Sequence, residues 1–158
     1  MKEYKKAMEL YNKTTEINPT HKMVYNEIGI IYSRLKKYNK SIQSYIKALE
    51  INANNNIAYT NLFELQLTQN QLFDKKLEKR HIELFQNKKK IFIDYEMLKI
   101  LQDITHNKKV NLELWKQKYR SVEMDWNFDM LHEWVDGVQD KEIRTRLMKA
   151  LKVFEGHS

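Results

Sequence analysis

Apolar residues return every three or four positions along nearly the whole chain, and they do not alternate singly over any stretch long enough for a strand. The pattern predicts an all-α chain. The stripe Tyr4, Ala7, Met8, Tyr11 and Thr14/Thr15 marks a helix over residues 3–17, which must end before Pro19 because a residue preceding proline avoids helical backbone angles. Thr20 is the expected N-cap of a helix from about His21 to Leu35, with Met23, Tyr25, Ile28, Ile31, Tyr32 and Leu35 apolar. Asn39 is the expected cap of the next helix, about Lys40 to Ile51. The polar run 52–56 then breaks the pattern before a helix from about Asn56 to Thr68.

Downstream, residues 72–85 read as a helix carrying Phe73, Leu77, Leu84 and Phe85, and residues 88–105 as a long one with Phe92, Tyr95, Leu98, Leu101 and Ile104 on one face. Asn111 should cap a helix through Tyr119. Another is expected after Asn127, stopping near Gly137, and Asp140 should cap a last one carrying Ile143, Leu147, Leu151 and Phe154.

Residues 4–19 and 38–53 agree at an offset of 34, pairing Tyr4 with Tyr38, Ala7 with Ser41, Tyr11 with Tyr45, Glu16 with Glu50 and Ile17 with Ile51. The same offset carries Tyr25 to Tyr59 and Ile28 to Leu62. A fixed period of this length marks stacked helix hairpins. Within it, Gly29 sits in a helix interior, where glycine costs about 1 kcal/mol against alanine. Such a glycine implies a neighbouring backbone packed too close for a Cβ.

Tyr25, Ile28-Gly29, Tyr32, Ser41, Tyr45, Ala48 and Ala53 stand in the order in which the tetratricopeptide repeat places its aromatic, aliphatic and small residues. Residues 22–55 therefore resemble that repeat, although Ala53 replaces its final proline. The resemblance covers residues 1–85 unevenly: a half-repeat first, then one clear repeat, then a degenerate one with Phe63, Gln66, Lys75, Lys79 and Ile82 at the pattern positions. It implies a short right-handed solenoid of helix hairpins. Residues 86–158 show no repeat and are expected to form a helical subdomain covering the open end of the array.

By the same resemblance, the first helix of each repeat lines a concave face. Met23, Asn26, Ile30, Ser33 and Arg34 would come from one repeat, and Ile57, Thr60, Asn61 and Glu64 from the next. Such a face suits a peptide or helix of a partner protein; the alternative is that the C-terminal helices bury it. Relatives that grip chaperone tails use a clamp of Lys, Asn and Arg. Glu27, Ile30, Thr60 and Asn61 occupy the comparable places, so chaperone-tail binding is not expected. The helix over 3–17 lacks a first helix of its own, leaving Tyr4, Ala7, Met8 and Tyr11 for a second copy, an upstream continuation, or the C-terminal helices folding back.

The net charge of +7 invites a nucleic-acid reading. Lysine outnumbers arginine 23 to 5, however, and the charges of both signs are interspersed, with Lys88 to Lys90 the one run, so nucleic acid is kept as the rival reading. There is no cysteine and no apolar run long enough for a membrane, and the N-terminus lacks a signal-peptide core, so a cytoplasmic protein is expected. No phosphate loop, nucleophile elbow or triad spacing appears, so neither catalysis nor a cofactor is expected. Glu78 with His81, and Asp129 with His132 and Asp136, have helical metal-site spacing but lack a predicted second half. Trp115, Trp126 and Trp134 all fall in the C-terminal part and are expected in its core.

Overall fold

The structure, a computed structural model, describes residues 2–157, with side chains over residues 4–157. Among these residues there are nine α-helices and no strand: α1 (Lys2–Ile17), α2 (Val24–Arg34), α3 (Tyr38–Ile51), α4 (Asn56–Thr68), α5 (Lys75–Phe85), α6 (Lys89–Thr105), α7 (Leu112–Tyr119), α8 (Asp129–Asp136) and α9 (Lys141–Glu155). None of them is long and apolar enough to cross a membrane. They form two compact units dividing between Leu65 and Gln66, inside α4. The change of sequence pattern expected at residues 85/86 lies downstream of this division.

In the first unit α2 and α3 make the most extensive helix pair, and α1 packs on α2. Val24, Ile28 and Ile31 of α2 and Tyr45, Ala48 and Leu49 of α3 are buried, each set recurring at helical spacing. α2 ends in a Schellman turn: the Lys37 N–H donates to the Tyr32 carbonyl at 2.8 Å, and Lys36 takes a left-handed φ of 56°. α4 ends the same way one period later, with Gln71 N–H donating to Gln66 O at 2.8 Å and Asn70 at φ 53°. The 34-residue repeat is thus written in the backbone as well as in side chains.

Two expected caps are corrected. Thr20 does not start α2: the Asn18 carboxamide oxygen accepts from both its N–H (3.2 Å) and its hydroxyl (3.1 Å), holding Thr20 in the turn after Pro19. The helix begins at Val24, with no side-chain cap on Met23. Asn39 does not cap α3. The Schellman turn delivers the chain in helical register at once, so the Lys37 carbonyl accepts from Ser41 N–H at 3.1 Å and the helix starts at Tyr38.

In the second unit α6 is the central rod. Phe92, Ile93, Tyr95, Met97, Leu98, Leu101 and Ile104 are buried around most of its circumference, which a helix packed on several sides requires. α5 and α9 pack on it, and α7 and α8 pack on α9 through Leu147, Ala150, Leu151 and Phe154. The side chains of Asp74, Asn111 and Asp140 accept from the opening N–H groups of α5, α7 and α9; the latter two are the expected caps.

Candidate partner-binding face

The hairpin α2/α3 closes around Gly29. A Cβ built there would lie 2.5 Å from Cε1 of Tyr45, and Ser41 Oγ donates to the Gly29 carbonyl at 2.7 Å. The glycine and the small residue on α3 therefore meet, as the sequence spacing implies. Burial pushes the Tyr45 hydroxyl well above the ordinary tyrosine range; Ser41 opposes the shift, while Glu64 and Glu27 add to it and Arg34 counters it. Tyr45 is a neutral packing group at any physiological pH.

α4 joins α2 through amides. Asn61 Nδ2 donates to Asn26 Oδ1 at 3.2 Å, and Asn26 is buried. Thr60 is also buried, its hydroxyl donating to the carbonyls of Asn56 (3.3 Å) and Ile57 (3.2 Å). Of the nine residues expected to line a groove, Asn26 and Thr60 are thus interior, and Asn61 is half-buried and engaged with Asn26. Ile30, Ser33 and Glu64 are half-buried; Arg34, Met23 and Ile57 are exposed. Met23 and Ile57 stand one repeat period apart and are 54% and 55% exposed. On α1, Ala7, Met8 and Tyr11 are half-buried and Tyr4 is exposed; the large apolar side chains most open to solvent among the described residues of this helix, Leu10 and Ile17, are ones the sequence stripe passed over.

The sites with metal-like spacing have other partners. His81 is buried among Phe85, Phe92 and Tyr95, its ring stacked on Phe92 at 5.8 Å, and burial lowers its pKa to about 4. Glu78 accepts from Tyr95 OH at 2.9 Å and pairs with Lys99 at 3.0 Å. His132 Nε2 lies 2.6 Å from Glu155. Among the described residues no cluster of three or more His, Asp or Glu side chains is placed to hold a metal ion.

Trp115 is a core residue, edge-on to Phe154 at 4.7 Å and beside Tyr119 at 5.3 Å. Trp126 and Trp134 are half-buried, and Trp134 Nε1 donates to Asn70 Oδ1 at 3.4 Å. Sequence reasoning missed Asp94. Burial, with the nearby Asp125 charge, pushes its carboxyl up to about 7, and its place beside the apolar Ile93 in α6 was the available signal.

No curated protein and no solved structure matches the chain. A family model described as Tetratricopeptide repeat matches residues 23–55, the segment that holds α2, the Schellman turn and α3. The repeat spacing and the Gly29 seat agree with this match, and residues 23–55 are similar to a tetratricopeptide repeat.

Proposed function

We propose that the chain is a non-enzymatic, cytoplasmic scaffold that holds a peptide or helix of a partner protein along the open edge of α2 and α4. The repeat itself suggests a protein-interaction module. The observation that carries the finer reading is the pair Met23 and Ile57: two large apolar side chains, each more than half exposed, at the same place in successive repeats. The Asn61 to Asn26 hydrogen bond ties the two helices that carry this edge. Arg34 supplies a charge at the edge; Ile30, Ser33 and Glu64 supply mixed walls.

Capture from a cell lysate tests this with wild-type, Met23→Asp/Ile57→Asp and Lys47→Ala baits. Loss of the same prey from the double variant alone is expected; equal recovery by all three would contradict the reading. The reading extends to α1, where Tyr4 and its neighbours would meet a second copy. Light scattering over a concentration series should show dimer forming, and a strict monomer removes this part.

A further inference from the structure

Several lysines of the second unit are paired with carboxylates. Lys99, Lys108 and Lys118 lie 3.0, 2.8 and 2.6 Å from Glu78, Asp103 and Glu96, so their charge is spent locally. Arg146 of α9 has its donors engaged by neutral acceptors, Asn107 Oδ1 at 2.7 Å and the Lys108 carbonyl. One turn away, Arg144, Lys149 and Lys152 line a cleft of 460 Å³ together with Met148, Thr145 and the rim carboxylate Asp136. Among the described residues no carboxylate stands within ion-pair distance of these three cations. Lys149 and Lys152, three residues apart on one helix face, repel each other. A concave patch in which three cations face one carboxylate has a net positive charge and concentrates anions.

The lining selects among anions. Met148, half-buried in the lining, offers an apolar contact that a phosphodiester backbone does not use, and there is no aromatic ring among the lining residues for a base to stack on. We infer that this cleft between the end of α8 and the face of α9 is a second docking surface, for an acidic peptide segment whose carboxylates meet Arg144 and Lys152 and whose apolar side chain covers Met148. It lies in the second unit and does not depend on the α2/α4 reading.

Fluorescence anisotropy of a fluorescein-labelled peptide of glutamates around a central leucine, titrated with the full chain, tests it. Binding should weaken with salt and fall about tenfold in Arg144→Glu/Lys152→Glu. The milder Lys149→Gln/Lys152→Gln should show a smaller loss at unchanged thermal stability, and Met23→Asp/Ile57→Asp should bind as wild type. Undiminished binding by both α9 variants would overturn the inference. So would an oligo-dT strand, or a vesicle containing phosphatidylserine, that competes as well as the peptide at equal charge.

Discussion

Gly29 of α2 lies under the ring of Tyr45 of α3, so close that a methyl group at Gly29 would sit 2.5 Å from Cε1 and 2.6 Å from Cδ1. Tyr45 is almost fully buried, so its ring could move aside only by displacing core neighbours. Gly29→Ala should therefore destabilise the chain by about 1–3 kcal/mol although alanine is the better helix former by about 1 kcal/mol. Urea unfolding measures it. Tyr45→Leu should remove most of that penalty in the double variant, a non-additivity that distinguishes contact from propensity.

Ser41 pins the same hairpin by donating to the Gly29 carbonyl at 2.7 Å from a fully buried position. Ser41→Ala should cost about 1 kcal/mol, and Ser41→Val more, because the added methyl groups meet a closed wall. Chemical denaturation with unchanged helical circular dichroism is the check.

Lys36 holds a left-handed φ of 56°, a conformation that costs a side chain with a Cβ about 1–2 kcal/mol. Lys36→Gly should raise stability by about 1 kcal/mol and shift the urea midpoint upward.

The buried His81 and the half-buried Asp94 oppose each other in acid. His81, with its pKa lowered to about 4 by burial, stays neutral when folded, whereas the unfolded chain takes up its proton near 6.5. The unfolded state then binds more protons, so stability rises with pH through this window; descending toward pH 4 removes on the order of 2–3 kcal/mol. Asp94 does the reverse. Its folded carboxyl holds a proton up to about 7, one the unfolded chain releases near 3.8, so its contribution falls as pH rises between those values. Wild-type Tm should vary little from pH 4 to 6.5, and Asp94→Asn should uncover a Tm that climbs with pH.

The local rules were legible where one side chain decides. Asn111 and Asp140 cap as their sequences announce, and α4 has the bounds its apolar run gives. Gly29 could be read as a close approach because few other reasons place a glycine inside an apolar helix. What stayed hidden depends on partners distant in sequence or on competition among neighbours. Thr20 lost its capping role to the Asn18 side chain, and nothing in a lysine marks a left-handed turn at Lys36. His81 looked like half of a polar pair with Glu78 until Phe92 and Tyr95, from another helix, enclosed it. Asn26 and Thr60 were assigned to an open face by repeat position alone. The hydrogen bond that Asn26 Oδ1 accepts from the Asn61 carboxamide, and the burial of Thr60, turn both inward.

The central claim is that a partner protein lies along the α2/α4 edge. A photo-crosslinking residue placed at Ile57 and, as control, at the exposed Ile46 of α3 tests it most directly. The account predicts a crosslinked partner from position 57 that position 46 does not capture. Crosslinking from position 46 alone, or equally from both, would contradict it.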